Sequence, residues 1–495
     1  MSQYQKIAAL ADSAQFRQYC SDNQIDLPCD DAVLSRDEQS PLAQPIQIGS
    51  KTAGNRWVIH PMEGWDANED GSPSDLLLRR WHNFGVSGAK LIFGGEAFAV
   101  RYDGRANPRQ LYNNPAHCSR TLELLRETLI NAHELQFGFG SSADFVYGLQ
   151  LTHSGRYSRP SLAGPAPRIA YHHPILDKRL KIDPTDDSCV FTDEQLYELI
   201  EDYVKTARLA QNAGFDFVDV KHCHGYLGHE LLSAYDRAGD FGGSLENRTR
   251  FMRTIIGRIR QECPGLGIGV RLSLFDTVAY QPDPEQAVPG KLGTGTPCDF
   301  STPYPAFGCN RNNPLEIDLT EPLELVRIMA EDLKIDVLNL SAGSPYYNPH
   351  VQRPTYFPAS DAYQPPEDPL RGVARQIGAV RIIKQRFPQL PIIGSGYTYL
   401  QDFLPQVAQA VVRNGWTDMV GIGRMVLCYP DLIADSLAGR PIDKKRICRT
   451  FSDCTTAPRN GIVSGCYPLD PFYRSKSDAA NLKEKKAQRK KELGG

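Results

Sequence analysis

The run Lys221-His222-Cys223-His224-Gly225-Tyr226 gathers an amine, two imidazoles, a thiol and a phenol within six residues. Side chains of these types hold or move protons once burial and neighbours have adjusted their pKa values. A second set offers different chemistry. Gly394-Ser395-Gly396 and Gly421-Ile422-Gly423-Arg424 place glycines beside a guanidinium. Backbone N–H groups at glycines approach an anion closely, and arginine adds a bidentate contact. The pair reads as a phosphate site, with tight turns alone as the plainer alternative. His222, Cys223, His224 and His229 also have the types of metal ligands. No further ligand is convincingly placed, so no metal is assigned.

The elements that would carry these residues repeat. Apolar or β-branched runs begin near Asn55, Ala89, Phe145, Phe215, Leu266, Ile335, Leu390 and Thr417. Their near-continuous hydrophobicity suits strands buried on both faces of a parallel sheet. Amphipathic helical patterns lie between them. One starts with Thr192 as N-cap, has Gln195 in its first turn and stops at Gly214; the last is the short PDLIADSLAG. Eight such units predict an α/β fold, a closed (β/α)8 TIM barrel of residues 55–440. Barrel active sites sit where strands end. The strand ends here carry His60-Pro61-Met62-Glu63, Gly94 to Ala97, Gln150, Lys221 to Tyr226, Arg271, Asn339 with Ser341, and the two glycine segments.

Outside the barrel lie an N-terminal lead-in (1–54), a Cys-containing C-terminal extension (441–474) and a charged tail (475–495). The tail is read as a solvated helix or a frayed end. A long Pro/Gly-rich loop insertion, about 276–320, follows the fifth strand. Its place at the catalytic rim suggests that it covers the substrate.

Bulk composition excludes several classes. Lys+Arg 55 against Asp+Glu 58 gives a net charge of −3 and no reason to expect a nucleic-acid partner. No apolar run is long enough for a transmembrane helix, and the N-terminal residues lack the pattern of a secretory signal. The twelve cysteines are scattered, except for Cys448, Cys454 and Cys466, which fits a reducing cytoplasm. A small-molecule substrate is expected, no membrane partner is, and a homo-oligomer is left open.

The sequence resembles the old yellow enzymes, or NADH:flavin oxidoreductases. The resemblance runs from Ser40 to about Asp431, through GGEAFAVRYDGRANPRQL, GLQLTHSGRYSRP and VGIGRMVLCYPDL. It is most specific in HGYLGHELLSAYDRAGDFGGSLENRTRF. It implies a noncovalent FMN across the barrel mouth and NAD(P)H as transient hydride donor. By motif position, Gln150 would contact the flavin pyrimidine edge and Arg271 its N1 and C2 carbonyl. Pro61, Met62 and Ala97 would pack around the ring. Gly396, Gly423 and Arg424 would hold the phosphate. The family reaction passes a hydride through flavin to an activated alkene. A His-x-x-His or His-x-x-Asn pair holds the substrate carbonyl, and a tyrosine supplies the proton.

Here the register gives Lys221-x-x-His224 with Tyr226 as the tyrosine. Because a one-residue shift turns a strand side chain to the other face, Lys221 rather than His222 is assigned to the site. Its amine could polarise a carbonyl or pair with a substrate carboxylate or phosphate. Glu63 stands where relatives carry Thr or Cys, and is expected to face Lys221 across the site. Relatives resembling dienoyl-CoA reductase and trimethylamine dehydrogenase bind a four-iron cluster after the barrel with four cysteines. With three cysteines and Phe451 at an early ligand position, this chain is read as keeping remnants. The leading reading is an FMN-dependent reductase of enone-type alkenes. A flavin dehydrogenase oxidising an alcohol, amine or sugar-like substrate at the same site is the alternative.

Overall fold

Strands buried on both faces must be covered on both faces, and closing the sheet on itself inside a ring of helices does so. The computed structural model describes residues 4–494. In it β1 (Trp57–Ile59), β2 (Leu91–Ile92), β3 (Val146–Thr152), β4 (Phe217–Val220), β5 (Gly267–Ser273), β6 (Val337–Ser341), β7 (Ile392–Gly394) and β8 (Met419–Ile422) pair in parallel. The sheet runs β2-β1-β8-β7-β6-β5-β4-β3, and Leu91 and Ile92 of β2 pair with Val146 and Tyr147 of β3 to close it. The barrel expected from the sequence is therefore present. A short strand, Ala97–Ala99, adds to β3 outside the closure.

The helices that follow the barrel strands are α1 (Asp75–Gly85), α2 (Cys118–Phe137), α3 (Asp193–Asn212), α4 (Leu245–Glu262), α5 (Thr320–Arg327), α6 (Pro369–Arg386), α7 (Leu404–Arg413) and α8 (Leu432–Leu437). Thr192 caps α3 in a capping box with Gln195, as its spacing indicates. A layer of buried side chains, including Leu199, Tyr203, Ile255, Ile259, Val373 and Val407, lies between helices and strands.

The barrel interior holds Val58, Leu91, Phe93, Val146, Phe217, Val337, Ile393 and Met419. Ile48 and Ala53 join this cluster from an antiparallel hairpin, Ile46–Ile48 with Lys51–Ala53. The lead-in thus plugs the barrel end from which the strands start, leaving the opposite rim open for chemistry.

The 276–320 insertion forms two antiparallel hairpins, Tyr280–Pro282 with Gly295–Pro297 and Cys309–Asn310 with Asn313–Ile317. The tail is a helix, Ser477–Glu492. It is docked through Leu482, buried against Ala457, Ile462, Tyr467 and Tyr473, and through Lys486 on Asp453 at 2.7 Å. Among the described residues no helix is long and apolar enough to cross a membrane.

Candidate active site

A cavity of about 320 Å³ opens at the C-terminal rim of the barrel. Pro61, Met62, Glu63, Gln150, Lys221, His224, Tyr226, Arg271, Gly396, Gly423 and Arg424 all line it. One residue assigned from the sequence does not. Ala97 lies in the added strand, where it pairs with Gln150 and its carbonyl accepts from the Gln110 amide at 2.6 Å. The chain bulges at Gly94 and Gly95, both at positive φ, and this carries Ala97 away from the cavity.

β4 delivers its side chains by alternation. Phe217, Asp219 and Lys221 share one face, while His222 packs elsewhere, its Nδ1 3.1 Å from the Val220 carbonyl. His222 does not line the cavity. After Cys223 the backbone turns sharply. His224 takes φ 66 and Gly225 φ 79, and a Cβ on Gly225 would stand 2.7 Å from Ser344 Oγ. A left-handed histidine is uncommon and strained by roughly 1–2 kcal/mol. It persists because the His224 N–H donates to Ser273 Oγ at 3.0 Å and its ring Nε2 meets Ser341 Oγ at 2.8 Å. The turn lets both His224 and Tyr226 reach the cavity.

Asp219 fixes the site from below. Its carboxylate accepts from Gln150 Nε2 at 2.5 Å and from the Arg271 N–H at 2.7 Å. Burial pushes its carboxyl up to about 7 against those hydrogen bonds. The sequence reading passed over Asp219, although an acidic residue in an otherwise apolar strand was a signal. His60 ties strand ends together, its ring within 3.1 Å of Asn339 Nδ2 and 3.0 Å of Ser395 Oγ. Burial, then nearby Arg271, hold its pKa well below the usual value.

Glu63 and Lys221 both line the cavity, with no ion pair between them among the described residues. The Tyr226 hydroxyl donates to Glu63, and Tyr346 Oη lies 2.9 Å from it. Asn107 Nδ2 donates to the other Glu63 oxygen at 3.3 Å. The Lys221 ammonium instead sits 3.8 Å from the Tyr226 ring centroid. The phenol stands between the two charges. Burial, then Glu63, raise the Tyr226 pKa well above the ordinary value. Burial lowers Lys221, opposed by Cys223 and Glu63 and aided by Arg271. Burial, then Arg271 and Lys221, hold His224 well below an ordinary imidazole. Glu63 is positioned by the Met62 carbonyl accepting from Arg80 at 3.3 Å, while Arg80 is held by Asp66 and Glu96.

The cavity is closed by parts the sequence reading did not assign. Pro345, Tyr346, Gln352 and Arg353 come from the segment after β6. Thr455, Pro458, Arg459, Ser464 and Tyr473 come from the C-terminal extension. Trp65 N–H donates to Ser464 Oγ at 2.9 Å, fastening the extension to the β1 loop. None of the cavity's lining residues belongs to the 276–320 insertion, so it does not cover the site as expected. It packs to one side, where Ala279 and Cys298 join Tyr347 and Leu176.

At the glycine end, Arg424 donates to Thr455 Oγ1 at 2.8 Å. Arg353 is nearby, and burial and Arg424 together pull its pKa down. Among the described residues neither arginine pairs with a carboxylate. Two cations beside Gly396 and Gly423 form an anion site. The donor set therefore fits FMN. Gln150, whose amide nitrogen is held by Asp219 and whose amide oxygen has no hydrogen-bond partner among the described residues, and the Arg271 cation suit the flavin edge, and the arginine pair suits a phosphate.

Cys448, Cys454 and Cys466 gain a neighbour the sequence did not suggest. Cys428, from the segment after β8, donates its thiol to the Met425 carbonyl at 3.3 Å, and its coupling to Cys448 and Cys466 holds Cys448 below and Cys428 above the usual thiol value. No disulfide joins them. Among the described residues no group of three or more His, Cys, Asp or Glu side chains is arranged to hold a metal ion.

A closed parallel barrel with a phosphate-ready rim and a proton-handling wall defines a cofactor-binding (β/α)8 protein. The profile of the NADH:flavin oxidoreductase / NADH oxidase family matches residues 140–287, in keeping with the resemblance to the old yellow enzymes. The chain is 30% identical over 246 residues to an NADPH dehydrogenase of Bacillus cytotoxicus, covering 49% of this chain and 64% of that protein. It is 24% identical over 445 residues to a cinnamate reductase of Clostridium sporogenes, covering 87% of this chain and 58% of that protein. The chain thus spans less than two thirds of the length of these relatives. A structure of 2-naphthoyl-CoA reductase with 2-naphthoyl-CoA shares the fold, with TM-score 0.64 and 20% identity over 88% of this chain and 57% of that one.

Proposed function

We propose that the protein is an FMN-dependent oxidoreductase that takes a hydride from NAD(P)H and reduces an activated, enone-type alkene. One observation carries this reading: Lys221, His224 and Tyr226 converge on the cavity that Gln150, Arg271, Gly396, Gly423 and Arg424 also line. FMN, when bound, supplies hydride transfer. Everything else falls to the chain. Arg271 is a fixed cation beside the edge where negative charge develops on reduction. Gln150 is oriented by Asp219 to meet the pyrimidine edge. His224 and Lys221 hold the substrate oxygen, and Tyr226 gives its phenolic proton to the carbon next to the carbonyl.

One contact favours a second reading. A phenol donating to Glu63 is a weak acid but a good conduit for a proton leaving the substrate. In that reading Tyr226 accepts a substrate proton while its own passes to Glu63, and a reduced substrate is oxidised.

Anaerobic reduction by NADH or NADPH, followed by mixing with an enone, tests the choice. Bleaching of the flavin by either nucleotide and rapid recovery of its colour with the enone are expected. Bleaching without recovery would favour the dehydrogenase reading.

A further inference from the structure

Tyr226 has one phenolic proton, and Glu63 accepts it. The Tyr346 hydroxyl lies 2.9 Å from the same phenol oxygen. With the Tyr226 proton committed to Glu63, Tyr346 is the donor of this second bond and Tyr226 its acceptor. Hydrogen bonds therefore run in one direction, from Tyr346 to Tyr226 to Glu63. The two phenols differ in their access to water: Tyr226 is 3% exposed and Tyr346 39%.

Tyr346 is held in place from two sides. Its ring stacks on Tyr157, with 3.8 Å between centroids and 8° between planes. Its N–H donates to Ser344 Oγ at 3.3 Å, and Ser344 Oγ donates to the His224 carbonyl at 2.9 Å. The segment after β6 is thus tied to the turn that presents His224 and Tyr226. No other neighbour is placed to return a proton to Tyr226. Glu63 is the acceptor of its bond. The Lys221 ammonium faces the ring, 3.8 Å from its centroid, and makes no hydrogen bond to the hydroxyl among the described residues.

Resting on the alkene-reduction reading above, we propose that Tyr346 relays a proton from solvent to Tyr226 in each turnover. The carbon next to the substrate carbonyl gains a C–H bond as the Tyr226 O–H breaks, and the other alkene carbon takes the hydride. The tyrosinate left behind still accepts from Tyr346, now through a stronger, charge-assisted bond. The Tyr346 proton crosses to it, the Tyr226 O–H re-forms, and Tyr346 takes a proton from solvent. One solvent proton is consumed for each alkene reduced, and both phenols return to their starting state.

The test reads where the proton of a single turnover comes from. Holoenzyme equilibrated and reduced in ordinary water is mixed into excess heavy water containing an enone, and the product is collected after one turnover. In the unmodified protein the relay exchanges the Tyr226 proton before it is used, so the carbon next to the carbonyl should carry deuterium. In Tyr346→Phe the Tyr226 proton is cut off from solvent, and that deuterium should be lost in favour of protium. Tyr157→Phe keeps the pair of hydroxyls and should give deuterium, which separates loss of the relay from a change in the cavity wall. Deuterium in the first product of Tyr346→Phe, or protium in that of the unmodified protein, would overturn the proposal. Absence of any reduced product from the unmodified protein is a different result, and would overturn the alkene-reduction reading on which the relay rests.

Discussion

Tyr226 and Glu63 are joined by a hydrogen bond in which the phenol donates and the carboxylate accepts. They are 163 residues apart in sequence, delivered by the ends of β4 and β1. The bond fixes which proton is available in the cavity and how tightly it is held.

Replacing Glu63 with Gln should lower the Tyr226 pKa toward the ordinary value, because a neutral amide no longer opposes tyrosinate. Burial alone would still hold it above that value. If Tyr226 is the acid of an alkene reduction, reoxidation of the reduced flavin by an enone should speed up, by no more than about tenfold. If Tyr226 passes a proton to Glu63 in an oxidation, the same variant should slow turnover. Stopped-flow measurement of the two half-reactions reads the difference, and reduction by NAD(P)H should change little in either case.

The arginine pair predicts a loss of cofactor affinity specific to the phosphate. Arg353→Gln should weaken FMN binding by roughly 10- to 100-fold, as expected for a lost charge-assisted hydrogen bond. Riboflavin, which has no phosphate, should bind the variant and the unmodified protein alike. Quenching of flavin fluorescence by flavin-free protein gives both constants. An equal loss for riboflavin would mean that Arg353 supports the fold and not the phosphate.

Most of this site was legible in the chain because its residues sit at strand ends. Strand alternation separates Lys221 from His222, and the glycines after β7 and β8 mark the phosphate end. What could not be read were partners supplied across the fold. Nothing near Glu63 in sequence indicates Tyr226, and nothing near Arg424 indicates Arg353 or Thr455. Cys428 was missed as a neighbour of Cys448 because it is separated from the cysteine cluster by α8. Ala97 was misplaced for a related reason, since the bulge at Gly94 and Gly95 ends the regular strand before reaching it. The insertion was assigned to the cavity by its position after β5, whereas the C-terminal extension, which has no strong pattern, does the covering.

Asp276 gives a stability signature. Burial raises its carboxyl from 3.8 to about 6, although Tyr347, Asn348 and Thr277 all donate to it. A folded pKa above the unfolded one means the contribution is complete below about 3.8 and lost as pH rises through about 6. The size is about 3 kcal/mol. Asp276→Asn should be less stable at low pH and should lack this decline. Denaturant unfolding across that pH window, in both proteins, measures it. Parallel slopes in the two would contradict the burial argument.

The central claim is that one cavity delivers a hydride and a proton to the two carbons of one double bond, with the proton coming from Tyr226. Turnover of an activated alkene in heavy water with unlabelled NAD(P)H tests it directly. The product should carry deuterium at the carbon next to the carbonyl and hydrogen from the nucleotide at the other. Tyr226→Phe should suppress product formation while leaving flavin reduction intact. Absence of any reduced product, or deuterium delivered to both carbons, would contradict the account.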